Sequence, residues 1–202
     1  MDILLSPVPI LILAYLAGSI PFGLVVTRLA GAGDIRQIGS GNIGATNVLR
    51  TGNKLLAALT LVGDAGKGAA VVLAVTVAGG TPLLIAIAGL GSVVGHCFPV
   101  WLKFQGGKGI ATNVAVFAAF DIRLGFAFAV LWLGTAAVTR YSSLGALAAT
   151  LGCSVAAFWL GLDVQIAIAV LLMSALSWTR HHQNIGRLLT GAEPASATNS
   201  PY

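Results

Sequence analysis

Three short polar stretches interrupt a chain that is otherwise mostly apolar. The first is Gly39-Ser40-Gly41-Asn42-Ile43-Gly44-Ala45-Thr46-Asn47-Val48-Leu49-Arg50. Its serine, threonine and asparagines, with backbone opened by glycine, supply neutral hydrogen-bond donors. Arg50 adds a forked cation, and a helix beginning near Asn47 would turn its free N–H groups toward an anion. The second, Lys103-Phe104-Gln105-Gly106-Gly107-Lys108-Gly109, stands before a helix start at Ile110. It has the look of a phosphate-cradling loop but is not a Walker A loop, because Gly109 occupies the place of the required Ser or Thr. The third, Arg180-His181-His182-Gln183-Asn184-Ile185-Gly186-Arg187, spaces His181, Asn184 and Arg187 three apart, which puts them on one helical face. Singly, these read as a turn-rich loop, a basic loop at a membrane edge and a solvated helix end. Together they offer cations, amides and hydroxyls with almost no carboxylate, which suits an oxygen-rich anion, phosphate above all.

Other chemistries fit poorly. His181 and His182 are adjacent, so their side chains diverge on a helix, and no Asp, Glu or Cys set accompanies them as metal ligands. Cys97 and Cys153 sit in different apolar segments and read as small buried residues rather than a disulfide. No metal and no cofactor is expected. The net charge of +5, from 11 basic and 6 acidic residues, is too scattered for a nucleic-acid face. Asp64 and Lys67 lie inside apolar sequence, where two readings stand side by side: a structural ion pair, or residues facing a partner in a cavity. His96 likewise reads as either a site residue or a membrane-interface histidine.

The elements that must hold these stretches are membrane helices. The 202 residues are 57% hydrophobic and 8% charged, with mean hydropathy +0.93, against about 25% charged in an ordinary soluble domain. A crossing takes about 20 apolar residues. Candidate spans are Leu4–Leu29, Lys54–Ala78, Pro82–Leu102, Ile110–Phe120, Leu124–Thr139, Leu144–Leu160 and Val164–Trp178. The fold class is therefore all-α, a polytopic bundle of about seven transmembrane helices, some short or broken. A kink is expected at Pro21, and Asp64–Lys67 is expected to break the second span. Ile110–Phe120 is short for a full crossing. Arg28, Arg36, Arg50, Lys54, Lys103, Lys108, Arg140, Arg180 and Arg187 fall on one side, and only Arg123 falls in a loop on the other. By the positive-inside rule the N-terminus is outside, the C-terminus is cytoplasmic, and all three polar stretches share the cytoplasmic face. Met1-Asp2 lacks the basic start of a signal peptide. Residues 1–193 are read as one membrane-embedded domain and 194–202 as a disordered tail.

These stretches together resemble one family, the bacterial PlsY acyltransferases, which acylate glycerol 3-phosphate from acyl phosphate. The first motif matches from Ser40 to Arg50, the second from Gly95 to Thr112, and the third at His181, Asn184, Ile185, Arg187, Leu188 and Glu193. Gly18-Ser19-Ile20-Pro21 and Asp64-Ala65-Gly66-Lys67-Gly68 are also similar to it, whereas Gln105, His182 and Gln183 depart from its pattern. The resemblance implies transfer of an acyl group to the 1-hydroxyl of glycerol 3-phosphate, giving lysophosphatidic acid and phosphate. This is the first acylation of phospholipid synthesis, at the cytoplasmic face of the bacterial inner membrane. The partners implied are the two substrates and membrane lipid, with the chain acting as a monomer. Ser40, Lys108, His181 and Asn184 are implied as catalytic. Asn42, Thr46, Asn47, Arg50, Gly106, Gly107, Gly109 and Arg187 are implied as substrate-binding. Arg50, Lys108 and His181 would grip the phosphate of glycerol 3-phosphate, and the glycine loop with the first motif's backbone would hold acyl phosphate. The general base is either His181 or a substrate phosphate. The His-x4-Asp arrangement of other glycerolipid acyltransferases is absent, since Trp101, Gly186 and Arg187 stand five positions after His96, His181 and His182. The alternative is a transporter of phosphate or an organophosphate, against which stand the one-sided polar stretches and the lack of an internal repeat.

Overall fold

The computed structural model describes residues 5–195, so most of the tail expected to be disordered lies outside the described residues. Ten α-helices and two short 3₁₀ turns make up the described chain, with no strand among the described residues. The first span is α1 (Pro7–Gly18) and α2 (Phe22–Leu29). Pro21 has no N–H to continue a helix, so the expected kink is a complete break between them. A small helix, α3 (Ala45–Leu49), lies in the first polar stretch.

Helix α4 (Lys54–Val77) opens on Asn53, whose side chain accepts from the Leu56 N–H at 3.1 Å. It runs unbroken for 24 residues, which corrects the break expected at Asp64–Lys67. The two charges lie one turn apart on one face and pair at 2.8 Å. Lys67 Nζ also donates to Ile20 O at 2.7 Å, a carbonyl at the Pro21 break that otherwise accepts, among the described residues, only the Phe22 N–H at 3.1 Å. With both charges answered inside the protein, the helix has no need to unwind around them.

Helix α5 (Pro82–Cys97) is stopped by Pro99 and followed by a 3₁₀ turn and the second polar stretch. Then come α6 (Ile110–Phe120), α7 (Ile122–Thr139), α8 (Ser142–Trp159), α9 (Val164–Arg180) and α10 (His182–Leu189), the last bent 62° from α9. The seven apolar segments thus occur in the expected order. Five are long and apolar enough to cross a membrane, and the bent α9–α10 pair would make a sixth. The 11 residues of α6 rise about 16 Å, roughly half the hydrocarbon thickness. Cys97 and Cys153 are both buried and unpaired.

Two apolar clusters divide the packing. The larger joins α4 to α9 through residues such as Val72, Val93, Val116, Phe117, Phe128 and Met173. The smaller, Leu24, Ile35, Ile43, Val48, Leu56 and Ala57, folds the first polar stretch against α2 and the start of α4. Without it the Gly39–Arg50 loop would have no fixed position relative to the bundle.

Helices α1 and α5 approach closely enough that a Cβ on Gly95 would fall on the Tyr15 carbonyl and the Ser19 amide. Tyr15 Oη then bonds Phe98 O at 2.8 Å, pinning the end of α5 to α1. Between membrane helices such small-residue contact is a main source of association. Gly95→Val is expected to destabilise the protein by about 1–3 kcal/mol or more, the cost of overpacking a site that cannot yield. Thermal unfolding in detergent, with Gly186→Ala as a control position open to a Cβ, measures this.

Candidate active site

The second polar stretch is held from two directions. Gly106 N–H donates to Cys97 O and Gly107 N–H to His96 O, each at 3.1 Å, so the loop docks on the free carbonyls at the end of α5. From the other side Arg180 donates through Nε to Gly107 O at 3.1 Å and through Nη2 to Gly106 O at 2.8 Å. Its guanidinium lies 5.2 Å from the centre of the Phe98 ring. Gly109 adopts φ 84°, which a side chain would strain, and this turn starts α6 at Ile110. The amides of Gly106 and Gly107 are therefore engaged within the chain. The backbone left for an anion is the first turn of α6, where a helix has N–H groups without intrahelical partners.

Lys108 emerges between these anchors and donates to Asn184 Oδ1 at 2.5 Å. Asn184 Nδ2 donates to Glu193 Oε1 at 2.6 Å, and Arg187 Nε donates to Glu193 Oε2 at 2.7 Å. Ser143 Oγ, in the first turn of α8, also donates to Glu193 Oε1 at 2.6 Å. Burial alone would push the Glu193 carboxyl up, but donation from Ser143, Asn184 and Arg187 keeps it below its ordinary value, so it is a carboxylate. Lys108 is pushed down from 10.5 to about 8, first by burial and then by the positive charges of Arg187, Arg50 and Arg180, with Glu193 opposing. A lysine so placed gains a great deal from an anionic ligand.

A second chain of bonds fixes Lys108 and His181 together. Ser177 Oγ donates to Lys108 O at 3.1 Å and accepts from Asn113 Nδ2 at 2.7 Å. The carbonyl of Ser177 lies 2.7 Å from His181 Nδ1. A carbonyl can only accept, so Nδ1 carries the proton and Nε2 is the open lone pair of the neutral ring. His181 is buried at the bend between α9 and α10.

The first polar stretch sits nearby without hydrogen-bonding to the other two. Arg50 is exposed, lies over Gly39, and is close enough for its charge to act on Lys108. Asn47 is turned inward: its Nδ2 donates to Ile35 O at 2.8 Å and its Oδ1 accepts from Ser40 N–H at 3.1 Å and Ser40 Oγ at 3.3 Å. It shapes the loop. Ser40 and Thr46 are exposed, and Asn42 keeps a buried Oδ1 with no partner among the described residues.

Lys108, Asn184, Arg187 and the Gly106–Gly109 loop are thus brought together directly, with His181 linked through Ser177. Ser40 and Arg50 share the same end of the molecule. Sequence reasoning missed the carboxylate at the centre, because Glu193 figured only as a matched motif position. It also missed Ser143, Asn113 and Ser177 as supports. Ser177 precedes His181 by one helical turn and could have been found that way, whereas Ser143 is 50 residues from Glu193 and gave no signal.

An all-α integral membrane protein with a cationic, amide-rich centre at one end of its bundle is the class that this fold and site define. A family model described as glycerol-3-phosphate acyltransferase matches residues 8–191, and the chain belongs to the glycerol-3-phosphate acyltransferase family. It is similar to the glycerol-3-phosphate acyltransferase of Roseobacter denitrificans, 51% identical over 91% of this chain and 90% of the relative. The Agrobacterium fabrum enzyme is 53% identical over 90% of this chain and 88% of its own. Among solved structures, PlsY, an integral membrane glycerol 3-phosphate acyltransferase crystallised in its glycerol 3-phosphate form, superposes with TM-score 0.90 at 38% identity, covering 96% of each chain. Its lysophosphatidic acid form gives TM-score 0.88 at the same identity, covering 94% of this chain and 95% of that one.

Proposed function

We propose that this glycerol-3-phosphate acyltransferase takes its acyl group from acyl phosphate and works at the cytoplasmic face of a bacterial inner membrane. The observation that carries the reading is the Lys108–Asn184 contact, set among Arg50, Arg180 and Arg187, with Glu193 as the carboxylate that holds Asn184 and Arg187. Two phosphorylated substrates meeting an apolar bundle need such a centre, and PlsY has been crystallised with glycerol 3-phosphate and with lysophosphatidic acid. The clustering of Arg28, Arg36, Arg50, Lys54, Lys103, Lys108, Arg140, Arg180 and Arg187 toward the site end supports a cytoplasmic orientation, with residues 1–193 acting as one domain and as a monomer.

In the reaction the 1-hydroxyl oxygen of glycerol 3-phosphate attacks the acyl carbon. The new ester C–O bond forms, the bond from acyl carbon to phosphate oxygen breaks, and phosphate leaves. Lys108 and Arg50 balance the phosphate charge, and the first-turn N–H groups of α6 face the charge that develops on the donor. His181 offers Nε2 as acceptor for the attacking hydroxyl and orients it. Glu193 already accepts from three donors, so the hydroxyl proton passes through His181 Nε2 to an oxygen of the departing phosphate, adequate for a donor that is already activated. Ser40 serves as a hydrogen-bond donor to phosphate rather than as a nucleophile. Asn42 and Thr46 complete that wall.

The purified protein in detergent is expected to release inorganic phosphate only when acyl phosphate and glycerol 3-phosphate are both present, and to form lysophosphatidic acid in equal amount. Equal turnover with acyl-CoA would sink the donor assignment. His181→Ala is expected to lower kcat by about 10²-fold, at the low end of what a positioned proton-handling group contributes. The transporter alternative loses its footing, since the polar groups gather at one end of the bundle and the chain belongs to an acyltransferase family.

A further inference from the structure

One group of buried ionisable side chains takes no part in the chemistry above. Asp64 and Lys67 on α4 pair at 2.8 Å, and Asp64 Oδ1 lies 3.6 Å from Nδ1 of His96 near the end of α5. Asp64, Lys67 and His96 are 2%, 7% and 4% exposed. Burying three such groups inside a membrane bundle is costly, and apolar side chains of similar size would hold helices together at least as well. Their surroundings show what else they do. The backbone carbonyl of His96 accepts Gly107 N–H at 3.1 Å. The three atoms nearest to a Cβ on Gly107 would all belong to the His96 ring, with Nε2 the closest. Asp64 in turn accepts, through its backbone carbonyl, the Thr112 hydroxyl at 2.9 Å, just beyond the same loop. The residue after Gly107 is Lys108.

We propose that Asp64, Lys67 and His96 form a positioning triad for the Lys108 loop. His96 is the floor on which Gly107 rests. Asp64 faces Nδ1 at 3.6 Å, beyond hydrogen-bond reach, and biases the ring orientation by its charge, while Lys67 balances that charge and anchors Asp64 to the α1–α2 break. A turned or displaced imidazole would lift Gly107 and carry Lys108 away from Asn184 and the substrate phosphate. These three act through the loop and touch no substrate. The proposal deepens the assignment of Lys108 to phosphate binding and rests on it.

The test is a double-mutant cycle read as kcat/KM for glycerol 3-phosphate. Gly107 is not held at positive φ, so alanine there is opposed by the His96 ring rather than by its own backbone. Gly107→Ala and His96→Ala are each expected to lose about tenfold, and the double variant to lose no more than His96→Ala alone, because the added methyl enters the space the ring leaves. Losses that simply multiply would overturn the proposal. A second variant, Asp64→Asn with Lys67→Met, removes both charges at nearly constant size. Its melting temperature in detergent is expected to stay within a few degrees of the parent, with kcat/KM down about tenfold or more. Parent-like kcat/KM in this variant would also overturn the triad. If it does not fold, the His96–Gly107 cycle decides alone. Lys108→Ala in the same assay separates the two levels: an undiminished rate there removes the phosphate assignment itself, whereas a large loss there with multiplicative cycle losses removes only the triad.

Discussion

Lys108→Ala is expected to lower kcat/KM for acyl transfer by about 10²–10³-fold, the range seen when a charge-stabilising donor is removed from a preorganised site. The geometry points to a loss of this size because Lys108 is fixed three ways: by Ser177 on its carbonyl, by the docked glycine loop before it, and by Asn184 on its Nζ. Lys108→Arg should recover little of this, since a planar fork does not reproduce a point donor to Asn184. The pH dependence supplies an independent check. In the proposed reaction Lys108 would hold phosphate only as the ammonium, and burial lowers it to about 8 in the free protein. As pH rises through about 8 the ammonium is lost, so kcat/KM should fall on the alkaline side. In Lys108→Arg, slow as it is, that alkaline limb should disappear, because the guanidinium stays charged. A parent-like limb in the arginine variant would assign the ionisation elsewhere. The sign for stability is opposite. A lysine whose folded value lies below its unfolded one is a cost while charged, so this group makes the ligand-free protein more stable as pH rises from about 8 toward 10.5. Bound phosphate should diminish that gain.

The second large effect is expected at Glu193, a residue that touches no substrate in the proposed reaction. Glu193→Ala removes the common acceptor of Ser143, Asn184 and Arg187. Asn184 then has no fixed orientation from which to receive Lys108, and Arg187 adds an unbalanced cation beside it. A displacement of about 1 Å at such a site costs about 10² in rate, and a loss of that order in kcat/KM is expected. Glu193→Gln keeps an acceptor oxygen for Ser143 and Asn184 but not the charge opposite Arg187, so its loss should be intermediate. The charge has a readout of its own. Glu193 raises the Lys108 value, so in Glu193→Gln the alkaline limb should move to lower pH. Equal rates for the parent and both variants, with an unmoved limb, would mean that the carboxylate only ties the chain end down.

Much of this was legible in the residues. Apolar runs of crossing length gave the helical segments, because a backbone in lipid must satisfy its own hydrogen bonds and the helix does so locally. Pro21 pointed to a kink after α1 because it has no N–H to continue the helix, and the structure shows a full break there. The three polar stretches pointed to an anion because Lys108, Arg50, Asn184 and the glycines were the polar groups the lipid-facing sequence did not need. What the residues alone did not show was which neighbours would answer particular groups. Asp64–Lys67 reads as a helix breaker in one dimension, and is tolerated in three because Ile20 and His96 stand opposite. Gly106 and Gly107 read as anion-binding amides, yet their N–H groups are engaged by the end of α5.

The sequence by itself determined that this is a membrane helical bundle with a phosphate-seeking polar end, since hydropathy and residue chemistry are properties of single positions and short windows. The tertiary structure alone decided which groups meet. Lys108 reaches Asn184 across 76 positions, Ser143 reaches Glu193 across 50, and His96 lies under Gly107 with its ring toward Asp64. A hydrogen bond acts over about 3 Å, and nothing in the linear order of a chain records which distant residues packing will bring within that reach.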